Sequence, residues 1–237
     1  MKQMASKIRN TGIEQILFVG ATIISAGIHF LFSIYVKAYV QPLEYGMYST
    51  CMLLQTYLSY LQLGTLNAFN RDYPQLVGAM NLKKSKEYRS TVFSFLLVIY
   101  FVAVTVTVVM CIFIKKSTGM DKRLVIGFIF MAIITTFTII ENYGNYRCRI
   151  DKGFIYPSLV ILLELLAMLV GVLLIPKVGY YAIYFTSMIE MGIGIIFFFK
   201  PSYSDFKFAF NITLLKEILI SGAPLLVNGL IWTVINS

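Results

Sequence analysis

Three ionisable side chains stand inside stretches of the chain that are otherwise apolar: His29, Glu164 and Glu190. A charged Asp, Lys or Arg at the centre of a membrane-spanning helix costs about 2.5–3.5 kcal/mol on insertion scales, so such groups are rare and often mark proton relays or ion paths. A buried carboxyl can take up a proton, or coordinate a sodium ion, in step with a conformational change, which makes these three the ion-coupling candidates. The plainer role stays open beside it. A neutral Glu hydrogen-bonds a neighbouring helix, and a lone His is satisfied by packing.

Their neighbours share helical spacing. Thr22, Ser25, His29 and Ser33 recur every three or four residues, as do Gln55, Ser59 and Gln62, so each set forms one polar face that must turn towards the bundle interior or a wet cavity. Glu164 has Pro157 one heptad before it and Gly171 one heptad after. Glu190 shares a face with Thr186, Ser187 and Gly194, small residues that permit close helix approach.

A second group sits at the rim of an apolar run, in "LQLGTLNAFNRDYPQLVGAMN" (61–81). Arg71 presents a planar fork of donors suited to phosphate, and Asp72 beside it offers an ion-pair partner. Pro74 removes an amide donor and disfavours helix at Tyr73, so the helix is expected to end or kink there. The plain reading of Arg71 is an interfacial anchor. "ENYGNYRCRIDKGF" (141–154), which carries Arg147, Arg149 and Lys152, is expected to be a loop.

The elements that hold these residues follow from composition. Hydrophobic residues make up 58% and charged residues 13%, with a mean hydropathy of +0.78, against a globular norm of about 45–50% apolar and about 25% charged. Continuous, non-alternating apolar runs near the length needed to cross a bilayer predict helices at 16–36, 45–66, 92–114, 124–140, 154–175, 178–199 and 218–235. The fold class is all-α, a polytopic transmembrane bundle. The first run is too long for a cleaved signal peptide and no small-residue cleavage site follows it.

Charge sets the orientation. With the N-terminus inside, fourteen of the twenty Lys and Arg fall in the cytoplasmic segments, which fits the positive-inside rule. The net charge of +9 thus needs no nucleic-acid partner; the lipid bilayer is the expected one, and "NLKKSKEYR" can touch anionic lipid. Cys51, Cys111 and Cys148 imply neither a disulfide framework nor a metal cluster, and no cofactor is expected. An enzyme is not expected either. The single His lies inside a span, the four Asp form no D-x-D pair, and every loop is short.

The first and last runs, "ILFVGATIISAGIH" (16–29) and "ILISGAPLLVNGLI" (218–231), share I-L-x-x-G-A-x5-G at an offset of 202 residues. With six spans between them the copies run parallel, as in transporters built from repeats about an axis along the membrane normal. This divides the chain into a six-span bundle (1–200), a cytoplasmic connecting loop (201–217) and the first span of a second half (218–237). The expectation is a truncated second half, or a half-protein that forms a homodimer.

In order and spacing, these features resemble the polysaccharide (O-antigen) flippase family, part of the superfamily that also holds multidrug and lipid-linked cell-wall precursor exporters. The residues that carry the resemblance are "QPLEYGMYS" (41–49) after the first span, then Gly64, Arg71, Pro74 and Gly78 before a basic stretch. "LLKEILISGAPLL" (214–226), with Pro224, looks like the start of that family's seventh span. It implies a twelve- or fourteen-helix carrier in the bacterial cytoplasmic membrane that flips an undecaprenyl-pyrophosphate-linked glycan by ion-coupled alternating access. On it, Asn67, Asn70, Arg71 and Arg147 would line a cationic path for the pyrophosphate. A multidrug or peptidoglycan-precursor exporter is the nearest alternative, and an inactive remnant or a non-transporting membrane subunit the next.

Overall fold

The structure, a computed structural model, describes residues 2–199 and 208–235, with side chains for 12–199, 208–228 and 231. Among the described residues it is built of helices: α1 (Lys2–Tyr39), α2 (Pro42–Ser59), α3 (Thr65–Gly78), α4 (Leu82–Thr118), α5 (Lys122–Lys152), α6 (Ile155–Val178), α7 (Tyr180–Phe199) and α8 (Ile212–Ile235). Five are long and apolar enough to cross a membrane: Gly12–Tyr39 of α1, then α4, α5, α6 and α7. The chain is an all-α, multi-pass membrane protein.

Local chemistry sets the ends. Pro42, whose missing amide costs nothing in a first turn, opens α2. The Asn81 side chain accepts from the Lys84 amide (3.1 Å) to cap α4, and Asp121 accepts from the Arg123 amide (2.8 Å) to cap α5. That backbone bond, with the Arg123 guanidinium, holds the Asp121 carboxyl below its ordinary range. Asn211 caps α8 through the Leu214 amide (3.1 Å), so residues 212–217 of the expected connecting loop are helix. The part of that loop at 201–207 lies outside the described residues.

The second expected span departs most from its reading. It does not run unbroken to 66 and break at Pro74. α2 stops at Ser59, a single 3-10 turn follows (Tyr60–Gln62), and Leu63 and Gly64 both take left-handed backbone (φ 51° and 77°) before α3 begins. Pro74 lies inside α3, which continues to Gly78. The cause lies on α8. A Cβ on Gly222 would stand 2.5 Å from the Gly64 carbonyl oxygen, so the two backbones cross in direct contact. Glycine suits both demands, close approach and positive φ. The break frees carbonyls that lipid could not satisfy, and the buried Tyr100 hydroxyl donates to those of Leu58 (3.0 Å) and Ser59 (3.3 Å).

α5 sits at the centre, touching α2, α3, α4, α6 and α7; α1 packs on α6, and α8 on α3 and α4. The main core lies where α3, α4, α5 and α8 meet, with Phe69 stacked on Tyr73 (4.7 Å between centroids) and against Tyr143 (4.9 Å). Tyr100, Tyr143, Tyr180 and Tyr184 are fully buried, so these tyrosines are core residues. The α3–α4 and α5–α6 turns and the start of α8 share one end of the bundle, here the basic end.

Candidate functional site

The ion-coupling candidates converge at mid-bundle. His29 Nε2 lies 2.7 Å from Glu190 Oε1, and its Nδ1 lies 2.9 Å from the Ser25 carbonyl oxygen, one turn back on α1. A carbonyl only accepts, so Nδ1 carries hydrogen. Nε2 then either donates as part of an imidazolium to ionised Glu190, or accepts from protonated Glu190. Either way the pair is neutral and holds one shared proton. Glu190 is 6% exposed, whereas the His29 side chain is 44% exposed, so the pair stands at the edge of the bundle interior.

A cavity of about 230 Å³ reaches this pair between α1, α2, α6 and α7, lined by His29, Ser33, Tyr45, Tyr48, Ser187 and Glu190. The rest of its wall is largely apolar, with Phe32, Val36, Met168 and Ile183, so water held there has its partners at His29, Ser33, Ser187 and Glu190; the volume has room for several molecules at about 30 Å³ each. Along α1 it runs from His29 towards the α1–α2 turn, at the end opposite the basic one.

Glu164 stands on α6, about as buried as Glu190, at 8% exposed. The small residues marked in the sequence lie at its contacts. A Cβ on Gly171 would meet Thr186 Oγ1 at 2.5 Å, and one on Gly194 would press on Glu164 Oε1. That oxygen is buried with no hydrogen-bond partner among the described residues.

Sequence reasoning missed a third acid. Glu141, expected as the first residue of a loop, lies in the middle of α5 and is 9% exposed. Its Cδ is 3.0 Å from the same point over Gly194 that Glu164 presses on. The fourth span does not end at 140, because the helix goes on to bury Tyr143, Gly144 and Cys148. These fall at helical spacing on the apolar face and were the available signal. Among the described residues no three His, Cys, Asp or Glu side chains are grouped to hold a metal ion.

The rim residues form a separate network at the basic end. Arg71 forks onto Asp72 through Nε (2.6 Å) and Nη2 (3.2 Å), and Asp72 also accepts from Tyr88 of α4 (3.2 Å) and Ser221 of α8 (3.4 Å). The Arg-Asp pair thus ties three helices. Arg147 is 7% exposed on α5 with its Nε on Asp151 (3.2 Å), a carboxylate that also takes Tyr73 OH (2.9 Å) and faces Arg89 (3.8 Å). Burial, with Asp151 adjacent, pushes the Tyr73 phenol up to about 12, so it is a donor at neutral pH. Asn70 on the rim meets Arg149 (3.4 Å) rather than Arg147, while Asn67 is half-buried and Pro74 exposed. Pro224 lies inside α8, exposed.

The arrangement defines a class: a helical membrane protein with a titratable cluster at membrane depth and a separate charged rim. Compared with protein-family models, with curated proteins and with solved structures, the chain finds no match.

Proposed function

We propose that this chain is part of a membrane carrier, a flippase that moves a lipid-linked oligosaccharide between leaflets by ion-coupled alternating access. The basic end faces the cytoplasm of a bacterial inner membrane, and the cargo is an anionic polyprenyl-pyrophosphate glycan. The observation that carries this reading is the pairing of two sites in one bundle. One is an exposed Arg71 fork at the rim, with two of its five N–H donors on Asp72 and the others without a partner among the described residues, turned to where an oxyanion can meet them. The other is the His29–Glu190 proton pair in the wall of a cavity on the far side. A carrier needs both, a place to receive charge and a group that changes protonation as access alternates.

Surface-polysaccharide export in cells that depend on this protein tests the reading. A charge-assisted bond is worth about 1.5–3 kcal/mol, so Arg71→Ala should reduce export about tenfold or more, with Arg71→Lys in between. Unchanged export at normal protein level removes Arg71 from the cargo path.

A further inference from the structure

We propose that Glu141 and Glu164, facing each other across Gly194, hold a shared, exchangeable proton at a site distinct from the His29–Glu190 pair. Three observations on different helices lead there. Both carboxyl groups lie within 3.0 Å of the single point that a Gly194 Cβ would occupy, so the glycine is what lets them meet. Oε1 of Glu164 is buried without a hydrogen-bond partner among the described residues, and a protonated neighbour supplies the missing donor. The charge of the cluster points the same way: the His29–Glu190 pair is neutral as a unit, and among the described residues no salt bridge joins a cation to either of the other two acids.

The surrounding groups leave this balance intact. Towards Glu141, α6 brings Glu164 and α7 brings Glu190, with His29 of α1 behind it. α3 and α4 bring Tyr73 and Arg89 to α5 only nearer the basic end, around Tyr143, Arg147 and Asp151, and α2 brings Glu44 only to Arg123 at the opposite end. Two ionised carboxylates side by side at this depth repel each other with nothing to offset them, and one proton between them removes a charge and makes a hydrogen bond. Solvent comes within about one helical turn of the site on α7. Gly194 is one turn from Glu190, and the cavity of about 230 Å³ reaches Glu190. The ligand is a proton rather than a metal ion, since only two carboxyls meet at that point and no third His, Cys, Asp or Glu completes a metal-holding group among the described residues.

The site does not depend on the cargo proposed above, and it can be read in purified protein without substrate. A hydrophobic carbodiimide adds to a protonated carboxyl inside the membrane and leaves a stable adduct that peptide mass spectrometry maps. Label is expected on Glu141 or Glu164 at neutral pH and should fall away as pH rises, with sodium having no effect at fixed pH. In Glu141→Gln, the pH at which Glu164 labelling is half lost should move by about one unit or more, as coupled sites require. Absence of label on both residues in folded wild-type protein overturns the proposal. So does protection by sodium, which would make this a cation site, and so does a Glu164 profile unmoved in the variant. The wild-type pH profile and the sodium arm need no substitution, so poor folding of Glu141→Gln leaves the proposal open to refutation.

Discussion

The two helices that share the I-L-x-x-G-A motif are held in opposite ways. On α8 the motif glycine, Gly222, crosses Gly64 backbone on backbone, with Leu214 and Ile218 driven into the main core. On α1 the matching Gly20 has no atom within 4 Å of where its Cβ would be, and α1 is the least buried of the five span-length helices. Beside the packing of Val36 on Ile175 and Ile183, what fixes α1 is a ladder of polar contacts: Glu14 to the Phe154 amide (3.2 Å), His29 to Glu190 (2.7 Å) and Tyr35 to the Val172 carbonyl (3.0 Å). One copy is held by shape, which pH leaves alone. The other is held partly by a bond that a proton can alter.

The largest effect should come from the shape-held side. Gly64→Ala puts a methyl into the Gly222 backbone and also strains a left-handed residue, together about 3 kcal/mol or more. Gly20→Ala, the equivalent change on α1, should fall within about 0.5 kcal/mol. Thermal unfolding in detergent compares them directly. Equal losses would mean that the two motif glycines do the same job and would erase the contrast.

Next comes the polar side. Glu190→Ala removes the hydrogen-bond partner of His29 Nε2 and should cost about 1–2 kcal/mol. Glu190→Gln can still donate an N–H to a neutral imidazole, so it should keep α1 docked and make that docking independent of pH. Labelling of a cysteine placed at Ser33, which lines the cavity beside His29, reads this: faster than wild type in the Ala variant and pH-independent in the Gln variant. If both variants label like wild type, the ladder does not hold α1.

How much of this was legible depends on where the cause lies. Helicity and the positions of five spans were readable because apolar runs of that length have one solution in lipid. That the His29 stripe turns to the bundle interior, and that Gly171 and Gly194 permit close approach, follow from helical spacing, but spacing did not say that His29 and Glu190 would meet. The α2–α3 break was invisible because Gly64 is bent by a residue on α8 far along the chain, while the local signal, Pro74, proved compatible with helix. Glu141 was missed because hydropathy falls at 141 even though the buried face of α5 continues. Average polarity and one-sided burial part company where a helix leaves the bilayer yet stays packed.

The repair of that break gives a third prediction. Tyr100→Phe keeps the ring and deletes only the hydroxyl that serves the Leu58 and Ser59 carbonyls, so it should cost about 1 kcal/mol. Amide exchange around residues 60–65 should speed up while α1 is unaffected. A uniform change across the bundle would mean that Tyr100 acts by packing alone.

The smallest effect belongs to Arg71, and it separates fold from function. Asp72 keeps its bonds from Tyr88 and Ser221 when Arg71 is replaced, and the guanidinium itself is about half exposed, where an ion pair is worth little. Arg71→Ala should therefore lower stability by no more than about 0.5 kcal/mol, whereas Asp72→Ala, which unties α3 from both α4 and α8, should cost about 1–2 kcal/mol. Unfolding of the two variants side by side decides the matter. If Arg71→Ala proves as destabilising as Asp72→Ala, Arg71 is a structural strut and lost export in that variant says nothing about cargo. If it is nearly silent, the side chain is exposed, charged and dispensable to the fold, and any loss of export reports on what it binds.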